Sequence, residues 1–530
     1  MWSDRAGIAR RVLIILLLSL VLVAAVYRKT PMNFLRAESG WFIYQAHSDP
    51  ETQLRFQKIF FTGSYGGHYT PLAFCAEFQM AKIAGTNESI WKWRQILALA
   101  LVGAALAGTV YTIGGVFQLA RLARWTLAAA VAAGSVFRPE MMDFISWPFM
   151  ILQLVFIGLS VLALYAVIRV VASPEQRRWP WVAAGAAYAS MHVSGLGLAT
   201  VAAVSVVFAG ILLVAIRVPT VTCHRNRKRI RSALALMLCL SIAHGSAMLY
   251  LFAAQTSSGV GLWSLGKLLL GFTAHLFTTA LQTFLGTILS EPGAQTLASS
   301  WPYGLIVIAG ALLLLHEMLR RSLRDPSPLN LARFALHGFS VSAFLGFIVL
   351  TAARQAQSVS LESAATNLAL SASFPRYMVP LHFLVVASAV DVLALLAWRA
   401  PRFGSGAFSA IALAALVLQV DYRWNSFPYV APLARISHSN AWNLIVATVR
   451  ECRAAKLAVP NVPLGSLTRE FSDWDPKMFE PIVRRELHLG REEQIEMIAW
   501  KDYLQSGRDR YRQRIPSLQL LEQKLYLQDD

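Results

Sequence analysis

The sequence predicts an all-α polytopic membrane protein that crosses the bilayer about eleven times and ends in a small, mostly helical soluble C-terminal domain. Three observations carry this. Of 530 residues, 56% are hydrophobic and 15% charged, with a mean hydropathy of +0.49; a soluble globular domain carries about 25% charged residues. Apolar runs of about 20 residues recur along the chain, each long enough to cross a hydrocarbon core of about 30 Å. Short clusters of Lys and Arg separate these runs, which is the pattern that the positive-inside rule produces.

The net charge of +19 does not point to nucleic acid. Residues 421–530 hold 16 Lys and Arg against 15 Asp and Glu, so the excess belongs to the first 420 residues, between apolar runs. No basic face or nucleic-acid module accompanies it. Cys75, Cys223, Cys239 and Cys452 lie far apart with no C-x-x-C spacing, so they read as buried or interfacial thiols, not a disulfide framework or zinc site.

Arg5, Arg10 and Arg11 precede the first apolar run, which places the N-terminus in the cytoplasm. That run lacks a small-x-small cleavage site and reads as an uncleaved helix. Span 1 (12–28) delivers a long polar loop, 29–94, to the outside. Span 2 (95–118) returns to Arg121 and Arg124. Span 3 (125–137) exits at Phe137-Arg138-Pro139-Glu140, and span 4 (147–169) returns to Arg169, Arg177 and Arg178. The stretch 181–216 is too long for one crossing and holds Gly195 and Gly197, so it reads as spans 5 and 6 with an outer turn near Ser194. It ends at the strongest basic cluster, from Arg217 through Arg225, Arg227, Lys228 and Arg229 to Arg231.

Span 7 (233–254) goes out again. Residues 262–289 mix Trp263, Lys267, His275 and Gln282 with Leu and Phe. A full crossing there would put Arg320, Arg321 and Arg324 outside, so the segment is expected on the outer face as an amphipathic or re-entrant helix. Spans 8 (303–319), 9 (335–353), 10 (377–398) and 11 (404–420) then alternate correctly. The transmembrane domain is thus 1–420, and the soluble domain 421–530 lies outside, with helical patterns at 439–456 and 474–526.

Four segments at the outer mouths carry chemistry. Glu38 sits just past span 1 beside Trp41, Phe42 and Tyr44. Near a membrane surface, low dielectric favours proton uptake by a carboxylate, which makes it a usable base, and aromatic rings give a sugar a stacking face. The plainer reading is an interfacial carboxylate in an aromatic belt. Arg376 and Tyr377 lie at the mouth of span 10, where an Arg can grip a phosphate bidentately or merely snorkel. Arg138, Glu140 and Asp143 share the loop after span 3. His192 lies near the turn between spans 5 and 6, where a core or turn imidazole is expected. Asp391, inside span 10, is expected to pair with a neighbouring helix.

In order, spacing and sidedness these segments resemble the GT-C superfamily of integral membrane glycosyltransferases, which includes the protein O-mannosyltransferases. Ala37-Glu38-Ser39-Gly40-Trp41 is similar to the acidic motif of that superfamily's first outer loop. Tyr69-Thr70-Pro71-Leu72, followed by Lys82-Ile83-Ala84-Gly85, resembles its Tyr-Arg-Pro-Leu-like segment. Pro139, Glu140 and Trp147 resemble a later loop, and Arg376-Tyr377-Met378-Val379-Pro380 an Arg-Tyr-x-x-Pro at a late span.

The resemblance covers residues 10–400. It implies transfer of a sugar from a polyprenyl-phosphate donor to a glycan, lipid or protein acceptor at the outer face of a bacterial inner membrane. Glu38 would be the base, with Asp49 as a substitute. Arg376 and His68 would hold the donor phosphate, and Tyr69, Arg138, Glu140 and Tyr377 would complete the donor site. No cofactor or metal ligand is assigned, although a divalent metal is compatible with the chemistry. Two positions depart from the pattern: Ser39 replaces a second acid, and Thr70 replaces an Arg. These departures keep open a non-catalytic GT-C-like protein that binds lipid or a partner. A transporter or flippase would need paired broken helices and midplane charges, and only Asp391 offers one.

Overall fold

A backbone in hydrocarbon must satisfy its own hydrogen bonds, so apolar runs of this length wind into helices. The computed structural model describes residues 2–30, 32, 34, 37–62, 69–137, 141–218, 226–255, 303–358, 438–462, 480–490, 493–506 and 508–526. Spans 10 and 11, the 262–289 segment and Asp391 lie outside them.

The chain begins with α1 (Trp2–Tyr27), α2 (Ala37–His47), α3 (Pro50–Thr62) and α4 (Pro71–Ala84). It continues through α5 (Glu88–Val116), α6 (Arg121–Val136), the short α7 (Met141–Ser146) and a 3-10 turn (Pro148–Met150). Next come α8 (Ile151–Ala172), α9 (Trp179–Val193), α10 (Gly197–Arg217) and α11 (Arg227–Gln255). Among the described residues α12 (Tyr303–Arg324) and α13 (Pro328–Ser358) follow. Among the described residues, five helical stretches are long and apolar enough to cross a membrane: Glu88–Val116, Pro148–Ala172, Gly197–Arg217, Arg227–Ala247 and Pro328–Leu350. The apolar part of α1, Leu13–Tyr27, is shorter.

Side-chain contacts tie helix ends into two levels. At one level the Tyr27 hydroxyl, at the end of α1, donates to the Val136 carbonyl at the end of α6 (2.7 Å). At the other, Arg124 lies over the Tyr111 ring, Arg169 over Trp179 and Arg333 over Phe117, while the Asn226 amide donates to the Pro174 carbonyl. The second level therefore collects the Arg-rich turns. The turn between α9 and α10 is tight because Gly197 has no side chain; a Cβ there would come within 2.2 Å of the Ser190 backbone.

The 29–94 stretch, expected as a polar loop, is largely helical. Phe56 and Phe60 on α3, and Phe74 and Phe78 on α4, recur at i and i+4 and so share a face. With Phe42 of α2 they form an aromatic core, the Phe42 and Phe60 rings stacking at 5.6 Å. Gly85 turns the chain from α4 into α5 with φ +50, and the Asn87 side chain accepts from the Ser89 and Ile90 amides to cap α5.

The C-terminal stretch supplies α14 (His438–Ala454), β1 (Val459–Pro460), α15 (Glu480–Glu486), β2 (Met497–Ile498), α16 (Trp500–Ser506), α17 (Arg508–Arg512) and α18 (Pro516–Tyr526). The pattern at 439–456 matches α14. The one at 474–526 is broken: β1 and β2 pair in parallel, Val459 opposite Met497, and this long-range pairing interrupts the helix. Trp442, Val449, Ile482 and Val483 join the same buried cluster as Phe42, Phe56 and Phe74, so these helices and α2–α4 share one core. Cys452 is buried within it, and burial pushes its thiol up to about 12, as for a packed, unreactive side chain.

Candidate functional site

Glu38 lies in the first turn of α2, the end of that helix nearest α1. Two anchors fix its position. The adjacent Ser39 hydroxyl accepts from the Phe149 backbone N–H at 2.9 Å, joining α2 to the 3-10 turn that opens α8. One helical turn further on, Phe42 packs against Phe56, Phe60, Phe74 and Phe149. Ser39, a departure from the GT-C pattern, thus serves to hold α2 in place. Glu38 itself is half-buried. Its Oε2 is shielded from solvent and has no hydrogen-bond partner among the described residues. Leaving a buried carboxylate oxygen unpaired is costly, and natural folds rarely do so without a use for it.

The turn that receives Ser39 is held from below. The Arg94 guanidinium donates to both oxygens of Glu77 (2.8 and 3.1 Å) and to the Pro148 carbonyl (2.6 Å). It also lies 4.6 Å from the Trp91 ring centroid. Burial pushes the Glu77 carboxyl up, and Arg94 pulls against that shift. The Gln95 amide donates to the carbonyls of Phe144 (2.8 Å) and Trp147 (2.9 Å). Sequence reasoning passes over Glu77, Arg94 and Gln95. The available signal is an acid on the aromatic face of α4, between Phe74 and Phe78, with basic and amide groups at the entry to a span.

Asp49 precedes α3. Its two oxygens accept from the Thr52 N–H (2.9 Å) and the Thr52 hydroxyl (2.6 Å), which holds its carboxyl below the usual range. It is exposed and acts as a helix cap. Tyr69 packs its ring 5.3 Å from His244 of α11. Beside it Thr70, the second departure, is buried at the head of α4, and its hydroxyl has no partner among the described residues. His192 meets Tyr188 at 4.7 Å and His244 at 4.5 Å, and its Nδ1 is shielded with no partner among the described residues. It sits in the last turn of α9, beside the turn near Ser194. Tyr69, His192 and His244 form a second polar group, joining the head of α4 to α9 and α11. Asp143 falls within α7, and His68, Arg138, Glu140, Arg376 and Tyr377 lie outside the described residues.

Among the described residues no cluster of three or more His, Cys, Asp or Glu side chains is arranged to hold a metal ion. No family model, curated protein or solved structure matches the chain.

Proposed function

We propose that this chain is an integral membrane glycosyltransferase that moves a sugar from a polyprenyl-phosphate donor to an acceptor hydroxyl at the outer mouth of its helix bundle. The observation that carries this reading is the Oε2 of Glu38, shielded and without a partner among the described residues, on a helix anchored through Ser39. Such an oxygen is ready to accept a proton from an incoming hydroxyl, and the aromatic residues Trp41 and Tyr44 nearby suit a sugar ring. A donor with a lipid tail already lies in the bilayer, so a site at a helix mouth meets it without extracting it. Arg376 and His68 are proposed to hold the leaving phosphate, which gains negative charge as the glycosidic bond breaks. Tyr69, Arg138, Glu140 and Tyr377 are proposed to line the donor site, while the geometry of Asp49 favours its cap role over that of a second base.

The same proposal includes eleven crossings of a bacterial inner membrane with a cytoplasmic N-terminus. Two sets of contacts support it. His47 of α2 meets Arg485 of α15, so the first loop and the C-terminal helices lie on one side, which requires an even number of crossings between them. All proposed crossings but the first fall there, an even number. The Arg-rich turns gather at the opposite level, as cytoplasmic ends do.

The test uses the full chain in lipid nanodiscs with radiolabelled polyprenyl-phosphate sugars. Wild type releases sugar to acceptor or water, and Glu38→Gln lowers the rate by about 10²–10⁴-fold, the usual contribution of a general base. Undiminished transfer by Glu38→Gln would remove Glu38 from the mechanism. Tight donor binding with no turnover for any sugar would favour the non-catalytic reading.

A further inference from the structure

A half-open cleft of about 570 Å³ lies between the C-terminal end of α2, the α4–α5 turn, and helices α14 and α15. Its volume falls in the range of small-ligand pockets, about 300–1,000 Å³. Two segments some 400 residues apart in sequence build it. His47 and Arg485 clasp one wall to the other, and the Thr86 hydroxyl donates to Glu486 beside them. A local hydrogen bond orients the His47 imidazole for this clasp. Its Nδ1 donates to the Ile43 carbonyl at 2.7 Å, which leaves Nε2 as the acceptor for the Arg485 N–H.

The chemistry of the lining is one-sided. Arg450 is exposed on α14 and has no hydrogen-bond or ion-pair partner among the described residues. Among the described residues Arg485 is engaged through Nη1, by His47 and the Lys82 carbonyl, and the rest of its fork has no partner there. Asn87 spends its side-chain oxygen on capping α5, which leaves its amide N–H₂, and Asn443 adds a second exposed amide. Against these donors, among the described residues, stands one carboxylate, Glu486, already engaged by Thr86. A concave wall rich in donors and guanidinium groups fits a ligand rich in oxygen and negatively charged.

We propose that this cleft binds an anionic sugar unit, one carrying a phosphate monoester or a carboxylate, and that it is the acceptor-recognition site of the transferase. The second half of this statement rests on the proposed function; the first does not. The cleft begins nine residues along α2 from Glu38, which at 1.5 Å per residue is about 14 Å. The charged unit in the cleft and the hydroxyl attacking at Glu38 therefore belong to different units of one oligosaccharide acceptor. Arg450 and Arg485 are the residues that contact the charge, and His47 is a positioning residue for Arg485.

Calorimetric titration of the full chain, in nanodiscs of zwitterionic lipid, tests this with glucose 6-phosphate, glucuronate and glucose as probes. At least one charged probe is expected to bind saturably, and its preference over the other distinguishes phosphate from carboxylate. Glucose is expected to bind at least tenfold more weakly. Arg450→Gln, at an exposed position that spares the fold, is expected to weaken the charged probe at least tenfold, and Asn443→Ala to weaken it less. Equal binding of glucose, unchanged binding to Arg450→Gln, or absence of binding by both charged probes would overturn the proposal. The assay needs no donor, so a chain that binds the charged probe but transfers no sugar loses only its assignment as a transferase. Undiminished transfer by Arg450→Gln to an anionic acceptor would instead remove the cleft and leave Glu38 in place.

Discussion

Glu77, a buried carboxylate, and Glu38, a half-buried one with a shielded Oε2, belong to the same aromatic unit, and the fold treats them differently. Glu77 meets a guanidinium with both oxygens, and that guanidinium also ties down the Pro148 carbonyl. Glu38 keeps an oxygen with no described partner, while its neighbour Ser39 accepts from the Phe149 N–H of the same turn. A satisfied buried pair is a strut: its parts depend on one another, and removal of one leaves an uncompensated charge. Glu38 has no such described partner, and its place is set by its neighbours; under the proposed function that oxygen is the one that meets the acceptor.

Breaking the strut has the largest expected effect on stability. Arg94→Met leaves Glu77 buried and unpaired, at a cost of about 3–5 kcal/mol; a large drop in melting temperature in detergent checks it, and Glu77→Leu/Arg94→Met recovers most of the loss. Ser39→Ala removes the acceptor for the Phe149 N–H and costs about 1 kcal/mol. It should also loosen the placement of Glu38, so transfer falls more than the fraction folded does. A smaller effect belongs to pH. Burial, the largest cause, sets the His47 imidazole below its ordinary value of 6.5, with the Ile43 carbonyl and Glu486 opposing and Arg485 and Lys82 lowering it further. The stability that neutral His47 contributes is therefore full above pH 6.5 and is lost as pH falls through the lower folded value. Hydrogen exchange over 480–488 should accelerate there, and His47→Gln should flatten that dependence. Asp49→Asn preserves the cap and should change neither melting nor transfer; a collapse of transfer would make Asp49 the base and reverse the comparison.

The membrane part of this fold is legible in sequence because hydropathy maps directly onto helices when no other backbone solution exists in lipid. The turn expected near Ser194 separates α9 from α10, and the runs expected for spans 2, 4, 6, 7 and 9 coincide with long apolar helices. The unit built by α2–α4 and the C-terminal helices is less legible. The i, i+4 phenylalanines of α3 and α4 signal buried helical faces, although nothing local says that they pack against each other and Phe42. The His47–Arg485 clasp joins residues 438 positions apart, and the pairing of β1 with β2 depends on that same long-range assembly. For the site, the sequence marks Glu38 and its aromatic neighbours. It gives no sign that Ser39 and Thr70 are buried, or that Arg94 is paired with Glu77.

The contrast between the two carboxylates is tested most directly by measuring melting temperature and sugar transfer on the same nanodisc preparations of Glu38→Gln and Glu77→Gln. Opposite patterns are expected. Glu38→Gln should melt with wild type and lose transfer by about 10²–10⁴-fold, whereas Glu77→Gln should melt far lower while its folded fraction still transfers. A Glu38→Gln protein that transfers normally, or that loses activity only because it unfolds, would contradict the assignment of Glu38 as the base.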